Sequence, residues 1–370
     1  MRKSRSDCIM MKTSSILFLS SGVALGVYVP PLIMSNQLRA KGINTEFFVI
    51  ENLIHENKLG NILMNKYAFH RSFKTALVGQ KLSEKSDYGI DNQKVQLLYD
   101  QWDKIRIKKF LVFSGFWASI IDYYLETRKL NSDLVDLCHL DAAVSSSWKN
   151  HDSIMRKYRN VWFFNLQKTT VNYQIKVTDT PLVDFKDRSR RFVIHGGGWG
   201  MGTYREKMQE LNDLKIRLDI INYEPHDLNN RANDNRNFMI DPEWKTWEKK
   251  SNGEYAFPPF AQINDNLPIR FDYNAKYPGV YDLIRNSYGI ISKPGGATLM
   301  DSFSSATPII FLEPFGDYEE ANAMLWKRSG FGVDYNHWIS MGCSTDLLWQ
   351  MHNKLKKAIL NTKNIMSLYV

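Results

Sequence analysis

The apolar run Ile16–Leu19 is four residues long and stops at Ser20-Ser21-Gly22. An unalternated run of this length, closed by small turn formers, predicts a strand buried on both faces. Apolar positions then recur at Leu32, Ile33, Met34 and Leu38 until Gly42, which predicts a helix and its stop. This reading places Pro30 and Pro31 in the first turn, where a missing N–H costs nothing. The segment INTEFFVI supplies the next strand, so the chain opens with a strand–helix–strand unit. A basic start before the first apolar run also has the outline of an export signal. Four apolar residues fall short of the roughly 7–15 that a signal core needs, and the run after Gly22 is broken again at Gly26. A cytoplasmic protein is therefore expected, with Met10 or Met11 as alternative starts.

Helical patterns follow over 65–82 and 91–104. A strand is expected at Lys109–Phe113, then a turn at Ser114–Gly115 and another helix. LVDLCHLDAAVSSSW holds a further short strand near its front, and VWFFNL and VNYQIKV are strand-like. Residues 181–190 are polar, begin at a proline and carry a charge run, as a linker does. A second start follows: RFVIHGGGWGMGTYREKMQEL reads as strand, Gly-rich turn and helix, and LKIRLDIINY as the next strand. Residues 224–268 show few periodic apolar positions and are expected to form a long excursion. Beyond them helix, strand, turn, helix and strand alternate again. Both halves thus begin with strand, Gly turn and helix, which predicts two doubly wound α/β domains facing a cleft. The expected division is an N-terminal domain over 1–180, a linker over 181–190, a C-terminal domain over 191–346 and a last helix within 347–370.

Composition narrows this picture only slightly. The chain has 370 residues, 44% hydrophobic and 24% charged, enough for two full cores. Its formal charge of +9 is spread in short clusters such as Arg2–Lys3, Arg106–Lys109, Arg188–Arg191 and Lys354–Lys357. That pattern fits a solvated surface and contains no nucleic-acid reading motif, so no nucleic-acid partner is expected. It is compatible with peripheral contact with an anionic membrane surface. No run approaches the roughly 18 apolar residues of a membrane span. Cys8, Cys138 and Cys343 are scattered, without a CxxC pair, and suggest neither disulfides nor a metal framework.

The chemistry-bearing segment is GIISKPGGATLMDSFSSATPIIFLEP. A strand ends at Lys293-Pro294-Gly295-Gly296 and a helix starts near Ala297. A helix N-terminus offers free N–H groups and a partial positive charge, and glycines let a phosphate approach it. Asp301 lies a turn further on, where a carboxylate accepts hydrogen bonds from sugar hydroxyls. With Ala306-Thr307-Pro308, Glu319 and Asn322-Ala323, the run from Gly289 to Val333 resembles the donor-binding region of GT-B glycosyltransferases. It is similar to the UDP-glycosyltransferases and to the N-acetylglucosaminyltransferase of peptidoglycan synthesis. The resemblance implies that Gly295, Gly296, Ala297 and Thr298 hold a donor diphosphate, bordered by Gly197 and Gly198 of the turn after His195. It implies ribose binding by Asp301, where relatives usually have Glu, and donor-sugar contacts from Glu319 and Glu320. Tyr277–Tyr281 falls where relatives place backbone against the base. The last helix commonly packs back on the N-terminal domain in this fold.

The pattern departs from those relatives at the first loop. Inverting members carry a His between a Gly and a Pro, and it takes the acceptor's proton. Here that stretch is Gly26-Val27-Tyr28-Val29-Pro30, with Val27 at the His position. Ser114 replaces the usual partner Asp. Glu51 and His55 are the candidate substitute bases, with Asp122 and His139 as further ones. Gly26, Val27, Tyr28, Phe116 and Trp117 are the expected acceptor contacts. No DxD metal motif is present, and neither a metal nor another cofactor is expected. The resemblance implies a metal-independent inverting transferase acting between a UDP- or other NDP-sugar and a small acceptor, in natural-product or nucleoside biosynthesis. A nucleobase acceptor, as in cytosylglucuronate synthase-like enzymes, would need little activation. A UDP-N-acetylglucosamine epimerase and a non-catalytic nucleotide-sugar-binding module are the alternatives.

Overall fold

The computed structural model describes residues 14–83, 89–225, 232–264 and 268–370. Arg2–Lys3, Cys8 and the alternative starts Met10 and Met11 lie outside them.

The N-terminal half is built on five parallel strands: β1 (Ser15–Ser20), β2 (Asn44–Val49), β3 (Ile107–Val112), β4 (Val135–His139) and β5 (Arg159–Trp162). Their order is β2-β1-β3-β4-β5, and β1 is buried along its whole length, as its unalternated apolar run requires. The connections are α1 (Leu25–Ala40), α2 (Glu56–Arg71), α3 (Phe73–Ser83), α4 (Asn92–Trp102), α5 (Ala118–Arg128) and the single turn α6 (Asp152–Met155). The helical stretch expected over 65–82 is two helices, because Ser72 is extended, at φ −144° and ψ 107°. α1 begins at Leu25, so Pro30 and Pro31 sit inside the helix and not in its first turn. Pro31 cannot donate to the carbonyl of Val27. The Ser20 hydroxyl donates to that carbonyl instead, at 2.6 Å.

β6 (Phe164–Asn165) and β7 (Thr170–Val171) form a small hairpin, followed by β8 (Tyr173–Gln174). The connection to the second half is not a loose tether. Phe185 stacks on Tyr288, with ring centroids 4.3 Å apart. Arg188 is buried and donates to Ser287 O, Thr307 Oγ1 and Ser305 O at 2.8–2.9 Å.

The C-terminal half holds β9 (Phe192–His195), β10 (Leu218–Asn222), β11 (Arg236–Ile240), β12 (Phe260–Ile263), β13 (Gly289–Ser292), β14 (Ile309–Phe311) and β15 (Gly332–Asp334). The order is β12-β11-β10-β9-β13-β14-β15, parallel except for β12. The span 224–268 therefore supplies two strands. The alternation that would mark β11 is masked because Arg236 and Asn237 reach sideways, to Asp219 and Asn222 on β10. Helices α7 (Tyr204–Asp213), α8 (Val280–Asn286), α9 (Gly296–Ser305), α10 (Asp317–Ser329), α11 (Tyr335–Ser340) and α12 (Thr345–Asn361) complete the domain.

α12 lies on the C-terminal domain, with Leu348 and Met351 in its core and His352 Nδ1 bonded to Ala306 O at 2.7 Å. The end of α12 and the segment after it return to the N-terminal half, where Gln174 Nε2 donates to Ile359 O at 2.9 Å. There β16 (Lys363–Asn364) pairs with β8. Tyr369 donates to Asp136 Oδ2 at 3.0 Å, and Asp136 also binds Lys109 and Arg159. A second crossing comes from the turn between β11 and β12. Tyr28 donates its hydroxyl to Ala256 O at 2.8 Å and meets Trp244 and Tyr255 edge-on. One apolar cluster consequently runs through both halves, from Phe18 and Val29 to Leu299 and Trp326. No helix among the described residues is long and apolar enough to cross a membrane.

Ser20→Ala should cost about 1–2 kcal/mol in urea denaturation, because the Val27 carbonyl loses its donor. Adding Pro31→Ala restores a backbone N–H at that carbonyl. The double variant should recover most of the loss.

Candidate functional site

Doubly wound sheets bind ligands where the strand order reverses. In the N-terminal sheet that point lies between β1 and β3, at Ser21–Ala24 and Ser114–Phe116. In the C-terminal sheet it lies between β9 and β13, at residues 196–202 and 293–295. The two points face each other. A Cβ on Gly26 would lie 4.0 Å from Ala297 N, and one on Gly198 would lie 2.7 Å from Leu25 Cβ.

The N-terminal loop is organised by Glu51, which is fully buried. Its Oε1 accepts from Ser21 Oγ at 2.7 Å and Val23 N at 3.1 Å, and its Oε2 from Gly22 N at 2.7 Å. Burial pushes its pKa up, and the hydrogen bonds from Gly22, Ser21 and Val23 oppose that shift. Val27 lies in the first turn of α1, half-buried. Two expected acceptor contacts are core residues. Tyr28 is fully enclosed, and Trp117 donates its indole N–H to Ser20 O at 2.7 Å beneath the loop. Phe116 remains half-buried beside that loop.

The other expected bases are engaged elsewhere. His55 lies on the surface ahead of α2 and approaches Asp91 at 3.3 Å. Asp122 binds Lys157 and Tyr158. His139 stacks on Trp162 and bonds Asn160, and burial pushes its pKa down to about 4.

In the C-terminal domain the N-terminus of α9 carries a partner that the sequence reading missed. A side chain at Gly296 would overlap Leu140 O and come within 2.9 Å of Asp141 Oδ1. This glycine is therefore required by the contact between domains, whatever else it does. Asn322, fully buried, completes the joint. Its Nδ2 donates to Asp141 Oδ1 at 2.7 Å and to Pro294 O at 2.9 Å, and its Oδ1 accepts from Ala142 N at 2.7 Å. Asp141 thus sits as an anion at a helix N-terminus, bonded also by Gly296 N, and burial pushes its pKa up to about 6.

Beside it lies a cationic cradle. Lys293 Nζ sits 3.6 Å from the Cβ position of Gly197 and 3.5 Å from that of Gly295. Its ammonium pairs with Glu319, which is buried in the first turn of α10 and accepts from Phe315 N, ahead of the helix, at 2.7 Å. Glu319 is therefore tied to the lysine and the backbone, while Glu320 is exposed. His195 accepts from Gly197 N through Nδ1 at 3.0 Å and leaves Nε2 buried without a partner among the described residues. Burial and the Lys293 charge push its pKa down to about 4. Lys293 stood inside the recognised turn, and the signal for it was a lysine at the switch-point end of a strand.

Ala297 and Thr298 lie in the first turn of α9, with Thr298 buried. Asp301 follows on the same helix. Its carboxylate receives no hydrogen bond from the described residues, and burial pushes its pKa up to about 8. A half-buried carboxylate without donors suits a ligand that supplies hydroxyls. Tyr281 is buried and bonds Ser304 at 3.0 Å, while Tyr277 reaches Asp282 at 3.3 Å.

Neither a family model nor a curated protein matches this chain. Solved structures do. Spinosyn rhamnosyltransferase SpnG is 10% identical with a TM-score of 0.55, covering 96% of this chain and 98% of that one. Streptomyces sp. SF2575 glycosyltransferase SsfS6, complexed with thymidine diphosphate, is 10% identical with a TM-score of 0.53 over the same shares. MurG of Acinetobacter baumannii is 12% identical with a TM-score of 0.50, covering 96% and 97%. The chain has the GT-B fold. Within the GT-B cleft, the loop at Gly22 and the cradle at Lys293 are the two switch points brought face to face.

Two outcomes test this geometry. Asn322→Leu should cost ~3 kcal/mol in chemical denaturation, because it strands the Ala142 N–H, the Pro294 carbonyl and Asp141. For Asp301 the folded pKa is raised, so its contribution to stability is full below about pH 4 and is lost as pH rises to about 8. Asp301→Asn should therefore lose less of its urea midpoint between pH 5 and pH 8 than the unaltered protein does.

Proposed function

We propose that this protein is a metal-independent inverting glycosyltransferase that moves a sugar from a UDP- or other NDP-sugar to a small-molecule acceptor. The observation that carries the reading is the Lys293 ammonium, held in a glycine cradle at the switch point of the C-terminal sheet. Thymidine diphosphate is the ligand of two GT-B structures with the same fold, SsfS6 and SpnG. The donor diphosphate takes Lys293 and the N–H groups at Ala297 and Thr298, between Gly295 and the Gly197–Gly198 turn. Asp301 accepts from the ribose hydroxyls.

In the reaction the acceptor oxygen attacks the anomeric carbon. The bond from that carbon to the diphosphate oxygen breaks, and its electron pair leaves with the nucleotide. Lys293 and the helix N–H groups stabilise the charge that develops there. The acceptor's proton passes by way of Ser21 to Glu51, the carboxylate at the N-terminal loop that Ser21 already contacts. Biosynthesis of a small secondary metabolite or nucleoside is the setting we favour, in the cytoplasm. A second reading, a nucleotide-sugar-binding module without turnover, draws on Val27 at the usual base position and on the donors that hold Glu51 to its loop.

Calorimetry with thymidine diphosphate and UDP, joined to a donor-by-acceptor screen read by mass spectrometry, separates the two. Lys293→Met, made together with Glu319→Gln to avoid a stranded carboxylate, should weaken diphosphate binding at least ~10-fold. Affinity for the parent nucleoside should stay unchanged. Unaltered diphosphate affinity in that variant would remove Lys293 from the donor site, and binding without turnover across the screen would favour the module.

A further inference from the structure

The helices α2 and α3 form a hairpin of the N-terminal domain with little core of its own. Of the sixteen residues of α2 only His70 is buried. Phe69 packs on α3 so closely that a side chain at Gly79 would overlap its ring, so the two helices form one body. α3 is tied to its own domain where Gln80 donates to Ser146 Oγ at 2.8 Å. Elements with few buried contacts open at the lowest cost in free energy.

The corner between these helices grips both loops that flank Lys293. His70 Nδ1 donates to Gly200 O at 2.9 Å, since a carbonyl can only accept. Gly200, at φ 62°, leaves room for the ring, because a Cβ there would lie 2.5 Å from His70 Nδ1. Phe69 packs on Trp199 of the same glycine turn, with ring centroids 6.1 Å apart. In the last turn of α2 the His70 carbonyl accepts from Arg205 of α7, a cation at the negative end of a helix. On the other side Phe73 meets Phe315, with centroids 6.1 Å apart, and Gln80 lies against Gly316. Phe315 in turn covers the Lys293 ammonium, which sits 5.7 Å from its ring centroid. The Lys293 side chain is left only 10% exposed.

A diphosphate is too large to reach an ammonium so enclosed unless a cover moves. The strands and α9 around Lys293 are packed into the core, whereas the hairpin rests on one imidazole hydrogen bond, one guanidinium contact and two ring pairs. We propose that the α2–α3 hairpin is a lid over the donor diphosphate and that His70 is the positioning residue that latches it, through Gly200 O. The inference rests on the glycosyltransferase reading, since that reading makes Lys293 a diphosphate ligand. Latched, the hairpin holds the Gly197–Gly198 turn against the phosphates. Unlatched, it lets the nucleotide enter and leave.

Thymidine diphosphate and UDP are the probes, with thymidine and uridine as controls that carry no phosphate. Stopped-flow displacement from the whole protein reads the release rate. His70→Leu should release the diphosphates roughly 10-fold faster, because the latch loses its hydrogen bond. His70→Asn keeps an amide donor near the Nδ1 position and should restore slow release. Calorimetric affinity for the nucleosides should be unchanged in both variants, which a general loss of folding would not spare. Phe73→Ala should also speed release, through lost packing on Phe315. Its ring is half-buried, so it carries the test if circular dichroism shows His70→Leu unfolded. Diphosphate release unchanged in both His70→Leu and Phe73→Ala, or as fast in His70→Asn as in His70→Leu, overturns the lid. Where the unaltered protein binds the diphosphates, that result leaves the donor reading intact. If it binds neither diphosphate, the donor reading falls and the lid falls with it.

Discussion

The joint at Asn322 sets the distance between the two domains. A single amide, fully buried, ties the end of β13 and the N-terminus of α9 to residues 141–142 of the other domain. An amide offers two donors and one carbonyl acceptor, and at this spot all three directions are used. Leu140 and Asp141 can come so close only because residue 296 has no side chain. Once that spacing is fixed, Gly26 faces Ala297 and Gly198 packs against Leu25. The two switch points then border one space instead of two.

The charges at that space are arranged in pairs. Asp141 occupies the N-terminus of α9, and Glu319 holds Lys293. Each pair satisfies the protein when nothing else is there, which keeps buried charge tolerable. Asp301 and the His195 Nε2 are different, because the described residues give them no partner. Partnered groups near the cleft hold its shape, and unpartnered ones mark where a ligand would complete it.

Glu51 shows why residue type alone is a weak guide to a role. A carboxylate after the second strand is a reasonable substitute for a missing His, and position 51 does reach the loop. It reaches it with donors from Ser21, Gly22 and Val23, so the carboxylate proposed as the base also braces the loop. Tyr28 and Trp117 make the same point from the other side. Both are aromatic and adjacent to loops, as acceptor contacts often are, yet one anchors a crossing segment and the other supports β1 from below.

Strands and turns were legible in the sequence because their causes are local. Ile16–Leu19 has to be buried, Ser20-Ser21-Gly22 has to turn, and Lys293-Pro294-Gly295-Gly296 has to end a strand. Those features alone specify two doubly wound halves and the place of their crevices. Local pattern was weaker where distant partners override it. Pro30 and Pro31 lie within α1 because Ser20 supplies the donor that the helix lacks. β11 is a strand although Arg236 and Asn237 hide its alternation. The return of residues 363–370 to Asp136, the crossing of the segment around Trp244 and Ala256 onto Tyr28, and the meeting of Asp141 with Asn322 join positions far apart in the chain. No local periodicity encodes such contacts. They depend on which buried donor finds which acceptor once the domains have closed, and only the tertiary structure decides that.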